Sequence, residues 1–333
     1  MKTVHGVQYL RALAALAVVL FHATEKTGQH FKIGAAGVDI FFVISGFIMW
    51  TMSRARPITP GRFLVDRIRR IVPSYWLVTL VMIVGALVHL FPNLRLNAGH
   101  ILGSLFFVPV RSPSNGEIWP VLVQGWTLDF EMFFYVLFAG TLFLPRRWQL
   151  TSLCAIFLAF VIAGVLFTPE SPVLQTYTRP IILEFVIGVL IGQLWLSGKI
   201  VSAPLGLAFV GASLCGFIAI YLLGAEFDEF ICGPLAAALV YGVVSLEKAD
   251  KIPVNGVLTY LGNSSYSIYL WHTLAISVVV KAAQVVAVPV SVTLLAAMIS
   301  GTLLGMAAYE CAEKPLRKML SSKGRLVASR AEA

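Results

Sequence analysis

The sequence predicts an all-α integral membrane protein, a bundle of about ten transmembrane helices with both termini cytoplasmic. Three observations carry that prediction. Hydrophobic residues make up 58% of the 333 and charged residues only 12%, about half the charged share of a soluble domain. Mean hydropathy is +0.86. The apolar residues are gathered into runs long enough, or nearly so, to cross a bilayer. Basic residues fall unevenly on alternate connections between those runs.

The runs cover about 7–24, 35–53, 73–91, 122–144, 149–167, 180–197, 204–224, 230–246, 257–280 and 287–309. The second, sixth and eighth are short for a crossing. The N-terminal run has no small-x-small cleavage site behind it and is read as an uncleaved first span rather than a signal peptide. Between the second and third runs, residues 62–72 carry Arg62, Asp66, Arg67, Arg69 and Arg70 and read as a short amphipathic helix ending before Pro73. Residues 1–320 form one transmembrane domain, and 321–333 form a polar cytoplasmic tail.

Charge fixes the orientation. With the N-terminus inside, 18 basic residues face the cytoplasm: Lys2, Arg54, Arg56, Arg62, Arg67, Arg69, Arg70, Arg146, Arg147, Lys199, Lys248, Lys251, Lys314, Arg317, Lys318, Lys323, Arg325 and Arg330. Six face outward: Lys26, Lys32, Arg95, Arg111, Arg179 and Lys281. Positive charge collects on the cytoplasmic side of membrane proteins, and the outward loop Glu226-Phe227-Asp228-Glu229 is acidic. The net charge of +9 therefore reflects topology, and no nucleic-acid partner is expected. Cys154, Cys215, Cys232 and Cys311 show no metal-type spacing and read as small hydrophobes, so no metal is expected.

Ionisable groups at membrane depth are costly and mark polar paths. Arg11 and His22 stand 11 positions apart, which is about 1,100° of helix, so both project from one face about 16 Å apart along the axis. His22, Asp39, Asp129, Glu131, Glu184 and His272 all fall in the outer half, and Arg11 falls in the inner half. A histidine with a nearby carboxylate is a minimal general-base kit. Arg67 and Arg70, at i and i+3, share a face that can grip a phosphorylated ligand at the inner mouth. A donor reaching from inside to react outside is the functional expectation. A sugar-lipid transporter or flippase, and a non-catalytic subunit of a polysaccharide synthesis complex, are the alternatives; no internal repeat of the transporter kind is visible.

Several motifs resemble one family. They are Arg11-x10-His22; Gly37-Val38-Asp39-Ile40-Phe41-Phe42-Val43-Ile44-Ser45-Gly46-Phe47; Arg67-Ile-Arg69-Arg70-Ile-Val-Pro73-x-Tyr75-Trp76; Trp126-Thr127-Leu128-x-x-Glu131-x-x-Phe134-Tyr135; Leu261-Gly262-Asn263-x-Ser265-Tyr266-Ser267-Ile268-Tyr269-Leu270-x-His272; and Glu313-Lys314-Pro315. In this order they resemble the acyltransferase-3 membrane O-acyltransferases, and among these the short bacterial exopolysaccharide-production acetyltransferases. Thr127 stands where serine is common in the family.

The resemblance implies transfer of an acyl group, foremost acetyl, from cytoplasmic acyl-CoA to a hydroxyl of a polysaccharide or lipid-linked oligosaccharide, in the bacterial inner membrane. It implies His22 as the catalytic residue, Arg11 as its motif partner and Glu131 as a second essential polar group. Arg67, Arg69, Arg70 and Tyr75 are then expected along the acyl-CoA, and Asp39, Trp126, Asp129 and His272 on the acceptor side. In the expected scheme His22 takes the proton of a sugar hydroxyl, Glu131 or Asp39 orients it, and the hydroxyl attacks the thioester. An acyl-His22 intermediate is the competing route. Tyr266 and Tyr269 are expected to be packing residues. Apolar outer faces look alike against lipid or a second copy, so homo-oligomerisation stays open.

Overall fold

The computed structural model describes residues 4–225 and 228–320. Lys2, Glu226 and Phe227 of the acidic loop, and the predicted tail 321–333 lie outside the described residues. Among those described, the chain is helical throughout, with one isolated bridge between Arg111 and Ile118.

Twelve helices follow one another: α1 (His5–Lys26), α2 (Gly37–Ala55), α3 (Pro60–Leu87), α4 (Ala98–Leu105), α5 (Trp126–Thr141), α6 (Arg146–Phe167), α7 (Pro172–Tyr177), α8 (Leu183–Leu196), α9 (Ala203–Leu223), α10 (Glu229–Lys248), α11 (Gly256–Val285) and α12 (Val290–Leu320). Eight of them are long and apolar enough to cross a membrane: α1, α2 with the 3-10 turn before it, α3, α6, α9, α10, α11 and α12. The other two predicted spans are shorter helices. α5 has 16 residues and α8 has 14, each entered through a 3-10 turn, Val123–Gly125 and Pro180–Ile182. The apolar runs at 122–144 and 180–197 included these turns, which hydropathy alone does not separate from helix.

Two other expectations change. The amphipathic segment at 62–72 and the third span form one continuous 28-residue helix, α3, with Pro73 inside it. Proline there forfeits one intrahelical hydrogen bond without ending the helix. The last predicted run, 287–309, does not mark the end of its helix either. A π turn at Tyr309–Glu313 absorbs the irregularity and the helix continues to Leu320. Cys232 is buried, whereas Cys215 and Cys311 are exposed on the outside of the bundle.

The chain alternates between two ends of the bundle. One end, called the basic face below, holds Arg54, Arg146, Lys199, Lys248 and Lys314 and gathers the start of α1, where Glu247 accepts from the backbone N–H of His5 and Gly6 at 3.0 and 2.7 Å. The opposite end holds Lys26, Arg179 and Glu229, the last two ion-paired.

Two parallel helix pairs set the frame. α2 and α8 cross where Gly46 faces the carbonyl of Phe185 and Gly188 faces the carbonyl of Val43; a Cβ at either glycine would stand 2.0 Å from that oxygen. α1 and α11 meet at Gly262, whose Cβ would stand 2.2 Å from the carbonyl of Gln8. Between the pairs, α3 and α5 bring an aromatic core: Phe42 stacks on Phe185 at 4.4 Å, Phe134 on Phe185 at 4.6 Å and Phe63 on Phe138 at 5.0 Å. α6 and α9 bury little and present Phe167, Leu207, Leu222 and Leu223 outward, as lipid-facing helices do.

The glycine contacts make a direct prediction. Gly262→Ala forces α1 and α11 apart and costs about 1–3 kcal/mol, read as a lowered melting temperature in detergent. Gly211→Ala, with nothing within 4 Å of its Cβ, does not lower the melting temperature and raises it slightly through the better helix propensity of alanine.

Candidate active site

A cavity with about 750 Å³ of empty space, counting its open mouth, lies between α1, α2, α3, α5 and α11. Its polar wall is Arg11, Ser45, Arg70, Thr127, Glu131, Tyr135, Ser265, Tyr266 and Tyr269, and its apolar wall includes Val38, Phe41, Phe42, Ile48 and Met49. A few polar groups converge in an otherwise apolar lining, as they do in small-molecule sites.

Each of these polar groups except Arg70 is held by a hydrogen bond. Arg11 donates from Nε and Nη2 to Ser265 Oγ at 3.3 and 3.0 Å, and Ser265 Oγ donates to the Gly262 carbonyl at 2.9 Å. The Gly262 approach therefore brings Ser265 under Arg11. Glu131 Oε1 accepts from Ser45 Oγ at 3.2 Å and from Tyr135 OH, one turn further along α5. Tyr266 OH donates to the Ile71 carbonyl at 2.8 Å. Tyr269 OH pairs with Thr127 Oγ1 at 3.0 Å and with the Gln124 carbonyl at 3.1 Å. Two guanidiniums, Arg11 and Arg70, face this cavity, and Glu131 is its one carboxylate.

His22 stands outside that lining, towards the opposite end of α1. Its Nδ1 lies 3.4 Å from Glu25 Oε2, one turn on, and its side chain is 24% exposed. The His272 ring lies 5.2 Å from the His22 ring, centroid to centroid. His272 is fully buried; its Nδ1 bonds the Ile268 carbonyl at 2.9 Å, and its Nε2 has no partner. Donation from Nδ1 leaves a lone pair on Nε2. Tyr269 joins the two regions: it lines the cavity, and its ring is 6.1 Å from His272.

The predicted site residues thus divide. Arg11, Arg70 and Glu131 share the cavity, and His22 and His272 form a pair beyond Tyr269. The others are elsewhere. Arg67 is buried, directing Nη1 at Met49 Sδ (3.6 Å) and its guanidinium over Phe63 (5.9 Å), so it supports the cavity wall and does not reach the basic face. Arg69 points outward. Tyr75 is fully buried, 4.9 Å from Phe107 and against Gly125. Asp129 is buried on the side of α5 near Tyr75 and Tyr177, off the cavity. Asp39 is buried against Glu184, on the side of α2 that packs on α8. Trp126 packs on Phe130 (5.8 Å) and under the guanidinium of Arg179 (5.9 Å). Neither Glu131 nor Asp39 touches His22; the carboxylate that does is Glu25. Its i, i+3 spacing from His22 was the available signal. Ser45, Tyr135 and Ser265 stood within the quoted motifs without assigned roles, and Tyr266 and Tyr269 are hydrogen-bonded cavity walls rather than mere packing.

A family model for an acyltransferase domain matches residues 4–310, which takes in both halves of this arrangement. The chain belongs to the acyltransferase-3 family. It is 58% identical over 298 residues to the exopolysaccharide production protein ExoZ of Rhizobium meliloti, covering 90% of this chain and 94% of that protein. It is 26% identical over 311 residues to the peptidoglycan O-acetyltransferase OatA of Listeria monocytogenes, covering 81% of this chain and 49% of that protein. The chain thus spans nearly all of the first relative and about half of the second. No solved structure matches. The family resemblance read from the motifs is correct, and the chain is a multi-pass membrane protein of that family.

Removing Glu131 takes the one carboxylate out of the cavity lining and deprives Ser45 and Tyr135 of their shared acceptor. It leaves Arg11 with Glu313, buried beside Ser267, as its neighbouring carboxylate. Glu131→Ala is expected to cost about 3 kcal/mol of stability, seen as a drop in melting temperature, and Glu131→Gln, which keeps an acceptor for Ser45 and Tyr135, less than half of that.

Proposed function

We propose that this protein transfers an acyl group, acetyl first, from acyl-CoA to a hydroxyl of a polysaccharide or a lipid-linked glycan precursor. The observation that carries the reading is α1 itself. It places Arg11 in a cavity whose other guanidinium, Arg70, comes from the basic end of α3, and it ends in the His22–Glu25 pair. The names of the two relatives, one an exopolysaccharide production protein and one a peptidoglycan O-acetyltransferase, support a carbohydrate acceptor and an acetyl group.

In this reading the basic face is cytoplasmic, in the inner membrane of a bacterium. α5 and α8 complete ten crossings, and both ends of the described chain lie inside. Arg70 and Arg11 hold the anionic and amide portions of the donor as its pantetheine arm enters the cavity. Glu131, fixed by Ser45 and Tyr135, balances their charge. His22 Nδ1–H is donated to Glu25, which leaves Nε2 as the base. The sugar oxygen gives its proton to Nε2 and forms a bond to the thioester carbonyl carbon. The C–S bond breaks, and the CoA thiolate takes the proton back from the imidazolium. Arg67, buried against Met49, shapes the donor cavity without gripping phosphate.

Release of free CoA from acetyl-, propionyl- and succinyl-CoA in the presence of acceptor glycan tests the reading. A transporter or an assembly subunit releases none. His22→Ala is expected to lower turnover at least about 100-fold and Glu25→Gln about tenfold, with the protein still inserted and folded. CoA release at the normal rate by His22→Ala overturns the reading. Arg70→Ala is expected to raise the KM for acyl-CoA with a smaller change in kcat; a change confined to kcat removes Arg70 from the donor contacts.

A further inference from the structure

We propose that a second cavity, at the basic face between α2, α6 and α8, is a seat for the phosphate headgroup of an anionic membrane phospholipid. It is lined by Trp50, Arg54, Arg146, Arg147, Leu150, Gln193, Leu196 and Ser197, with about 930 Å³ of empty space counting its open mouth. It is separate from the transfer cavity. The two share α2 but use different sides of it, and the Trp50 ring, edge-on to Phe138 at 6.3 Å, belongs to the aromatic core between them.

The lining brings three guanidiniums together and contains no carboxylate. Like charges so placed repel one another unless an anion joins them. Arg54 is also positioned in advance. Its guanidinium lies 4.1 Å over the Trp50 ring, and Trp50 Nε1 is fixed by donation to Gln193 Oε1 at 3.0 Å. Arg54 Nη2 donates to the Arg146 carbonyl at 3.3 Å, which ties the end of α2 to the start of α6, while its buried Nε has no partner. Near the end of α8, the Gln193 and Leu194 carbonyls already accept from Ser197 Oγ and from the N–H groups of Ser197 and Lys199.

The rest of the lining selects a lipid among phosphate compounds. Leu150 of α6 and Leu196 of α8 are part of the lining, and Trp148, half exposed, stands beside the guanidinium of Arg147. Three guanidiniums with apolar side chains beside them, at the ends of apolar helices long enough to cross a membrane, match a phosphodiester that carries acyl chains. A soluble phosphate has no use for the apolar part. The inference rests on the membrane-spanning character of α2 and α6 and is independent of the acyl-transfer reading.

The test uses the full chain in neutral detergent with added phosphatidylglycerol or phosphatidylcholine, and reads bound lipid by native mass spectrometry. Wild type is expected to retain phosphatidylglycerol in preference to phosphatidylcholine. Arg147→Gln is expected to weaken that retention about fivefold and Arg54→Gln/Arg147→Gln about 25-fold. Arg56→Gln, an exposed arginine at the end of α2 outside the cavity, leaves it unchanged. Among the described residues the Arg147 side chain makes a ring contact with Trp148 and no hydrogen bond or ion pair, so its single variant carries the test if the double variant does not fold. Equal retention by Arg147→Gln and wild type overturns the proposal. So does an equal loss in Arg56→Gln, which marks diffuse charge, and so does displacement of the lipid by inorganic phosphate or free CoA at millimolar concentration, which assigns the seat to a soluble phosphate.

Discussion

The arrangement of the site depends on one backbone approach. Where Gly262 of α11 passes the carbonyl of Gln8, there is no room for a side chain. That contact sets the register of α1 against α11, and two pairings follow from it: Arg11 with Ser265, and His22 with His272. Arg11 and His22 are spaced by the pitch of their own helix. Their partners come from the neighbouring one, and only a close, parallel approach keeps both partners in reach at once. A wider gap would leave a guanidinium unpaired at membrane depth, where an unmatched charge is expensive.

Much of this was legible in the sequence, for physical reasons. Hydropathy found the helices because a bilayer admits few other structures, and it erred where an apolar run contained a turn, as before α5 and α8. Proline misled at residue 73 because a break in hydrogen bonding was read as an end of the helix. The Arg11–His22 spacing survived intact, since helical pitch within one element is a local property. Which carboxylate meets His22 was not legible from depth alone. Asp39, Asp129 and Glu131 lie on helices whose rotation about their own axes is set by packing, and that rotation turns Asp39 to Glu184, Asp129 into the core and Glu131 towards Arg11 and Arg70. Arg67 and Arg70 share a helix face as predicted. In the packed bundle Arg67 is covered by Met49 and Phe63, and Arg70 opens on the cavity.

The site combines two electrical environments. Around Arg11 and Glu131, side chains answer one another within an apolar shell, Arg11 with Ser265 and Glu131 with Ser45 and Tyr135. Around His22 the side chain is partly open and its carboxylate, Glu25, is more exposed still. In the proposed reading, the open end suits a bulky glycan and the apolar lining of the cavity suits the thioester. Tyr269, hydrogen-bonded to α5 and packed beside His272, divides them.

The glycine crossings also govern how the molecule can move. α1 is locked to α11 and α2 to α8 by backbone laid directly against backbone, so these walls cannot part without losing whole rows of contacts. α3 is held differently, by side chains such as Tyr75, Phe63 and the tether from Tyr266 to the Ile71 carbonyl. It also carries a proline three residues beyond Arg70, where one rung of the helix ladder is missing. In the proposed reading, a long donor enters and its spent carrier leaves past α3, the wall of the cavity held by side chains rather than by backbone contact.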